Sequence, residues 1–154
     1  HSDDDGDGRP ALRHGRRRLP ARRLLRAHAG RIEGWLTELD RLGAHAGRGE
    51  WVVTHGEPHP GNLIRTAAGL RLVDWDTVRL GPPERDLWLV TDDPELLGAY
   101  TRATGRPIDP GALELHRLRW RLADIAEVVD TLRRPHGDGA DAAAALRHLT
   151  GYLS

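Results

Sequence analysis

The sequence predicts an α+β fold that is predominantly helical and contains one small β-hairpin. Apolar residues recur at helical spacing over residues 21–46 and again in four segments after Pro83. Between these regions lie a short β-branched run and two apolar segments joined by a Gly-containing turn, a pattern typical of strands. The 154 residues are enough for one domain with a buried core.

The first predicted helix covers residues 21–46, where leucines, Ile32 and Trp35 recur every three or four positions. Pro20 precedes it, and proline is favoured at the start of a helix because its φ angle is already helical. Gly43 and Gly47 mark its end. Four later helices are predicted between prolines, over residues 85–90, 94–104, 110–134 and 139–153.

The predicted strands are short. Trp51–Thr54 is rich in β-branched residues and is predicted to be a strand that leads into a loop. Residues 62–66 and 70–74 are predicted to pair as a hairpin around a turn. Asn62 and Asp74 occupy the two open ends of this hairpin, so we expect their side chains to lie side by side.

The chain is predicted to consist of a disordered or linker-like segment, residues 1–20, and one folded part, residues 21–154. The segment contains D-x-D-x-D-G, the start of an EF-hand calcium loop, from Asp3 onwards, but the twelfth position of that loop is His14 rather than Glu. An acidic linker is the preferred interpretation. Residues 9–31 contain nine Arg and no acid. Without interleaved aromatic residues, this run predicts a solvated helix face rather than a nucleic-acid site.

The composition argues against several classes of protein. The 23 basic and 23 acidic residues give a net charge of zero, which predicts no bulk attraction to nucleic acid or an acidic membrane. The sequence has no Cys for disulfides or thiolate sites. No apolar run approaches the roughly 18 residues of a membrane span, and no signal-peptide core is found. We therefore expect a cytoplasmic protein with no membrane or nucleic-acid partner.

The most informative segment is H-G-E-P-H-P-G-N, residues 55–62. Its His55, Glu57 and Asn62 fall on the kinase spacing H-R-D-x-x-x-x-N, in which the acid engages the acceptor hydroxyl and the Asn binds Mg²⁺. Asp74 ends the next predicted hairpin strand, where a second metal-binding Asp belongs. Mg²⁺ prefers oxygen ligands and keeps several waters, so one carboxylate and one amide oxygen suffice beside the phosphates. The pattern predicts a site for Mg²⁺ and nucleotide phosphate at Asn62 and Asp74.

Two further motifs follow in order, V-D-W-D at residues 73–76 and G-P-P-E-R-D-L at residues 81–87. Together with residues 55–62 they resemble the aminoglycoside phosphotransferase and choline kinase-like family. The resemblance implies the C-terminal lobe of a protein kinase-like fold. Such folds hold the triphosphate with a Gly-rich loop and a strand Lys, whereas all 23 basic residues here are Arg. We therefore expect the ATP-covering N-terminal lobe to be absent from this chain.

The resemblance also implies roles for the residues of the loop. Glu57 stands where the family has Asp and would accept the proton of the acceptor hydroxyl. Its extra methylene displaces the carboxylate by on the order of 1 Å, so either compensation or lost activity follows. His55 is expected to hold the loop through a side-chain hydrogen bond, and His59 to line the acceptor site or cap the loop. Asp86 is expected to open the next helix and bond back to the loop.

Other candidate residues have simpler explanations. Asp76 is either a second metal ligand or a surface carboxylate, and Arg85 either contacts substrate or forms a salt bridge, which is the preferred interpretation. Asp124, Glu127 and Asp130 recur at three-residue intervals on one predicted helix, where the resemblance implies a face for cationic amino-sugars. The same acids are also explained, without a substrate, by pairing with Arg117, Arg121 and Arg134.

The predicted function is transfer of the γ-phosphate of ATP, or of GTP, to a hydroxyl of a small-molecule acceptor such as an aminoglycoside or an amino alcohol, with Mg²⁺ as cofactor. The alternative is a catalytically inactive kinase-like remnant or binding module, favoured by the missing Lys and by Glu57. A zinc hydrolase using His55, His59 and either Asp74 or Asp76 is disfavoured, because the intervening prolines and glycine prevent a shared helical face.

Overall fold

The computed structural model describes residues 20–46, 49–133 and 139–154. The predicted fold class is confirmed, since helices dominate and the strands in these ranges form two small antiparallel sheets. Residues 20–27 are helical. The helices that follow are α1 (Ala29–His45), α2 (Glu84–Val90), α3 (Pro94–Thr104), α4 (Pro110–Arg133) and α5 (Gly139–Leu153).

Three predictions about the amino terminus fall wholly or partly on residues that the structure does not describe. The linker-like segment, apart from Pro20, and the EF-hand-like opening both lie outside the described residues. So does the part of the arginine-rich run that precedes residue 20.

Helix α3 illustrates how local sequence sets the helix ends. The Asp93 side chain accepts a hydrogen bond from Glu95 N at 2.8 Å, and Pro94 occupies the first turn, where its missing N–H costs nothing. The helix ends at Gly105, whose φ of 72° is left-handed. These start and stop signals explain why the predicted range 94–104 and the observed helix agree.

The predicted hairpin is confirmed as strands β2 (Leu63–Thr66) and β3 (Gly69–Leu72), with Leu63 opposite Leu72 and Thr66 opposite Gly69. The predicted strand before the loop is β1 (Val52–Thr54). A fourth strand was not predicted.

Strand β4 (Arg79–Gly81) pairs antiparallel with β1, with Val53 opposite Leu80 and Thr54 opposite Arg79. The pairing brings the chain after the hairpin back beside the start of the loop at residue 55. Three residues are too few to show the alternation that predicts a strand, so the partner strand decides this element.

The chain divides into two compact units. The first comprises the described residues of His1–Gly34 together with Arg121–Ser154. Its buried apolar side chains come from both ends of the chain, and Arg31 Nη1 donates to the carbonyl oxygens of Leu153 at 2.5 Å and Ser154 at 3.1 Å. The buried residues of this unit include Ala21, Ile125, Leu132, Ala145, Leu149 and Leu153.

The second unit is Trp35–Trp120 and contains both sheets. The rings of Trp88 and Trp120 lie 5.7 Å apart, and the buried Glu84 carboxylate accepts a hydrogen bond from Asp109 N at 2.8 Å. This bond ties the start of α2 to the residue that precedes α4. The buried apolar residues of the unit include Leu42, Ala112, Leu113, Leu115 and Leu118.

Among the described residues, the helices are too short or too polar for any of them to cross a membrane.

Candidate active site

The loop after β1 is held by the carboxylate of Asp86, in the first turn of α2. Asp86 Oδ2 accepts a hydrogen bond from His55 N at 2.7 Å, and Asp86 Oδ1 accepts one from Gly56 N at 2.7 Å. Hydrogen bonds to a charged acceptor are shorter and stronger than neutral ones. A single side chain therefore fixes two successive peptide groups immediately before Glu57.

The imidazole of His55 is buried, with 2% of the residue exposed, and both ring nitrogens have partners. Nδ1 accepts from Glu57 N at 3.2 Å, so Nε2 carries the proton and donates to Val73 O at 2.8 Å. The indole of Trp75 meets the ring edge-on at a centroid distance of 4.6 Å. His55 thus connects the loop to the end of the hairpin.

Glu57 is held by its backbone while its carboxylate stays available. Its N–H donates to His55, and its carbonyl oxygen accepts from Asn62 Nδ2 at 2.9 Å. Within the part of the chain that the structure describes, no other residue hydrogen-bonds to the Glu57 carboxylate. The half-buried side chain can therefore accept a proton or a hydrogen bond from a bound molecule.

Asn62 ends a short 3₁₀ turn, Pro60–Asn62, and its side chain is buried. His59 caps this turn, because its Nδ1 accepts from Gly61 N at 3.1 Å. Because Nδ2 donates to Glu57 O, the Asn62 side chain is oriented, and its amide oxygen Oδ1 remains for another ligand. His59 therefore takes one of the two roles considered for it, loop capping, and its part in acceptor binding remains a prediction.

Asp74 follows Val73, whose N–H donates to Asn62 O at 2.9 Å. The hairpin thus brings the backbones of Asn62 and Asp74 close together. Asp74 has a φ of 66°, and it is the only non-glycine residue with positive φ in the described ranges. Asp tolerates this left-handed conformation better than most residues, but a backbone cost remains, and such costs concentrate at functional sites.

Asp74 and Asp76 are both exposed, and neither carboxylate bonds to another residue in the described ranges. No group of three or more His, Cys, Asp or Glu residues suited to a metal is found among those residues. The zinc alternative is therefore not supported, since both His55 nitrogens and one His59 nitrogen already have partners. One carboxylate and one amide oxygen fit Mg²⁺, which keeps several waters of its own.

Arg85 contacts the loop, and sequence reasoning did not predict how. Its Nη1 donates to Thr54 Oγ1 at 2.7 Å and its Nη2 to Thr77 O at 2.9 Å. No salt bridge to Arg85 is found within the described residues, so the preferred interpretation of a simple ion pair is not supported. Thr54 and Thr77 carry no motif signal. Their roles arise from contacts 31 and 8 residues along the chain from Arg85.

His116, in α4, lies among the charges around this loop. Burial, followed by the positive charges of Arg119, Arg85 and Arg79, lowers its pKa to about 4, while Asp86 acts in the opposite direction. The imidazole is therefore neutral at pH 7. A neutral side chain adds no further positive charge beside Arg85.

This shifted pKa predicts how stability depends on pH. The unfolded chain binds a proton at His116 below about pH 6.5, whereas the folded chain excludes it until about pH 4. The free energy of unfolding should therefore fall as pH falls from about 6.5 towards 4, and this residue should contribute no slope above that range.

Urea unfolding of the unaltered chain and of His116→Gln at pH 7, 5.5 and 4.5 measures this contribution. The variant should lose less stability between pH 7 and 4.5 than the unaltered chain. Equal losses in the two proteins would contradict the assignment.

Asp124 and Glu127 lie in the first unit, in the part of α4 that follows Trp120. Asp124 Oδ2 accepts a hydrogen bond from Tyr152 OH at 2.5 Å, and this bond raises the pKa of Tyr152 to about 12. Arg117, one of the pairing partners considered above, bonds instead to Glu114 at 2.7 Å. A cavity of about 370 Å³ is lined by Asp124, Glu127, Val128, Thr131, His148 and Tyr152, with Ala144 and Ala145.

Comparison with known proteins identifies similar sequences and structures. A model of the phosphotransferase enzyme family (APH) matches residues 2–116. Protein StrN of Streptomyces griseus is 33% identical over 138 residues, which is 84% of this chain and 40% of that protein.

Two crystal structures of spectinomycin phosphotransferase, APH(9)-Ia, resemble the fold at 17% sequence identity. The complex with ADP and spectinomycin has a TM-score of 0.66 and matches 97% of this chain and 47% of that one. The AMP-bound complex has a TM-score of 0.64, with 96% and 48% covered. The chain thus spans about half the length of these structures and two fifths of the curated relative.

Proposed function

Since this chain belongs to the phosphotransferase enzyme family, we propose that it is the catalytic lobe of a small-molecule kinase. The reaction is transfer of the γ-phosphate of ATP to a hydroxyl group of the acceptor. The family assignment and the motif residues support this proposal. The cytoplasm, where ATP is abundant, is the proposed location.

The observation that carries the proposal is the arrangement of the loop around Glu57. Its backbone N–H and C=O are both engaged by side chains, while its carboxylate has no hydrogen-bond partner among the described residues. Phosphoryl transfer depends mainly on positioning and charge neutralisation. A loop held by these hydrogen bonds, with an available carboxylate, meets the first requirement, because the bonds limit the positions that the base can take.

Asn62 and Asp74 are the proposed Mg²⁺ ligands. Hydrogen bonding of Asn62 Nδ2 to Glu57 O leaves the amide oxygen as the atom for the metal, and the exposed Asp74 carboxylate supplies the charge. When bound, Mg²⁺ would neutralise charge on the donor phosphates. Asp76, two residues further on and also exposed, is proposed as a second, outer ligand.

Glu57 is the proposed general base. It would accept a hydrogen bond from the acceptor hydroxyl, orient that oxygen and take its proton as transfer proceeds. His55 would hold the loop in place, since its two ring nitrogens hydrogen-bond to Val73 O and Glu57 N. Neither His55 nor His59 needs to exchange a proton in this scheme.

The proposed enzyme needs two further parts, a lobe that covers the nucleotide and a site that binds the acceptor. The chain has no Lys to hold the α- and β-phosphates, so a nucleotide-covering lobe must supply those contacts. For the acceptor we propose a cationic amino-sugar or amino alcohol, with Asp124 and Glu127 supplying negative charge. The solved relative holds spectinomycin, and the cavity beside these two acids has the volume for a small ligand.

Phosphate transfer by the chain joined to a family N-terminal lobe tests the proposal. With ATP, Mg²⁺ and a panel of aminoglycoside and amino alcohol acceptors, we expect phosphorylated acceptor. Asp74→Asn should raise the Mg²⁺ concentration needed for half-maximal activity by about tenfold or more, because one charged ligand is lost.

Asp92→Asn is the matched control, since Asp92 is exposed and lies outside the loop and the hairpin. It should leave the Mg²⁺ requirement unchanged. A joined, folded protein that phosphorylates no acceptor would favour the inactive remnant. An active Asp74→Asn variant with an unaltered Mg²⁺ requirement would remove Asp74 as a metal ligand.

A further inference from the structure

The Arg85 guanidinium joins two segments that the proposed reaction must keep in register. Nη1 donates to Thr54 Oγ1 at 2.7 Å, at the end of β1, and Nη2 donates to Thr77 O at 2.9 Å. Thr54 immediately precedes the Glu57 loop, and Thr77 follows Asp74–Asp76, the segment with the proposed metal ligands. One planar group therefore bridges the two halves of the candidate site.

Gly56 makes room for this guanidinium. A Cβ atom at Gly56 would lie 2.2 Å from Arg85 Nη2 and 2.7 Å from Cζ, so any larger residue would displace the arginine. Gly56 also has a φ of 100°, which residues with a Cβ rarely adopt. The kinase pattern places Arg at this position of the loop. Here Gly takes that place, and the guanidinium of Arg85, from α2, fills the space in which a side chain at Gly56 would begin.

Thr77 forms a second connection between the segments. Its hydroxyl donates to His55 O at 2.6 Å, and its carbonyl oxygen accepts from Arg85. The peptide groups before Glu57 are therefore held by Asp86, from α2, and by Thr77, which follows Asp74–Asp76. Arg85 hydrogen-bonds to Thr54, which precedes the loop, and to the carbonyl oxygen of Thr77.

We propose that Arg85 is a positioning residue that sets the separation between the Glu57 loop and the Asn62–Asp74 metal site. It acts through Thr54, Gly56 and Thr77 and leaves the Glu57 carboxylate free. This inference rests on the proposed function of the same site. It differs from the substrate contact and the ion pair that the sequence suggested for Arg85.

The charges around Arg85 agree with this role. Burial, followed by Arg79, lowers its pKa, while the negative charges of Asp86 and Glu57 act in the opposite direction. Arginine stays charged, and its rigid fork can serve two acceptors at once, whereas Lys presents a single point charge. A Lys at this position would keep the charge but lose the bridge.

Mn²⁺ binding by the 154-residue chain tests this role. Mn²⁺ accepts the same oxygen ligands as Mg²⁺, and electron paramagnetic resonance measures how much of it is bound. Arg85→Gln should weaken Mn²⁺ binding by about tenfold or more, as for other residues that orient metal ligands. Arg85→Lys should weaken it comparably. Hydrogen exchange at Gly56 N–H should be faster in both variants.

Arg79→Gln is the control, because it removes a neighbouring exposed positive charge without touching the bridge. Its Mn²⁺ affinity should stay within about twofold, since exposed charges are largely screened. Should Arg85→Gln misfold, Thr77→Val removes one hydroxyl and should weaken Mn²⁺ binding by about two- to tenfold, the worth of one hydrogen bond. Thr77→Ser should restore it.

Unaltered Mn²⁺ affinity in folded Arg85→Gln, or full affinity in Arg85→Lys, would overturn the positioning role. Failure of the unaltered chain to bind Mn²⁺ counts against the proposed metal site instead. In that case, exchange at Gly56 N–H decides the inference: faster exchange in Arg85→Gln than in Arg79→Gln supports it, and equal rates overturn it.

Discussion

Asp86→Asn should lower kcat/KM by at least about 10²-fold in the chain joined to an N-terminal lobe, because small displacements of a catalytic group have effects of this size. Asp86 accepts from the amides of His55 and Gly56 at 2.7 Å each. An Asn side chain offers one oxygen and one NH₂ group, so one amide would face a donor. The loop would then shift, and Glu57 would move with it.

The measurement is a steady-state assay with a saturating acceptor, accompanied by thermal unfolding to confirm that the variant is folded. Glu95→Gln is the matched control, since it also removes a charge from the first turn of a helix, α3, without contacting the loop. Its kcat/KM should stay close to that of the unaltered protein. A loss in Asp86→Asn of less than about threefold would show that the two amide bonds do not position Glu57.

Glu57→Gln should lower kcat by about 10²-fold or more while the KM for ATP changes little, a loss in the usual range for a general base. The substitution keeps the shape of the side chain and removes both its basicity and its charge. The hydrogen bonds of the Glu57 backbone to His55 and Asn62 do not involve the altered atoms, so the loop should stay in place.

Glu57→Asp provides the sharper comparison, because the family has Asp at this position. If the loop is built for the longer side chain, Asp will be slower than Glu. If Glu is a degenerating substitution, Asp will raise activity. A turnover unaffected by Glu57→Gln would remove Glu57 as the base, and Asp76, whose carboxylate is exposed and has no partner among the described residues, would become the next candidate.

Local sequence was sufficient for the helices and the hairpin. Apolar periodicity and prolines placed α3 at 94–104, and the strands around Gly69 followed from turn chemistry. The spacing of His55, Glu57 and Asn62 predicted the loop, because all three residues of the motif lie in one short segment and their order can be read directly from the sequence. These features depend on neighbours within a few residues.

Only the tertiary structure decided β4 and the contacts of Arg85. Strand β4 exists because β1 offers a pairing edge, and three residues have no periodicity of their own. Arg85 meets Thr54 across 31 residues of sequence, in space that Gly56 leaves empty. Such contacts depend on how distant segments pack, and neither composition nor spacing records the direction in which a long side chain turns once its helix is in place.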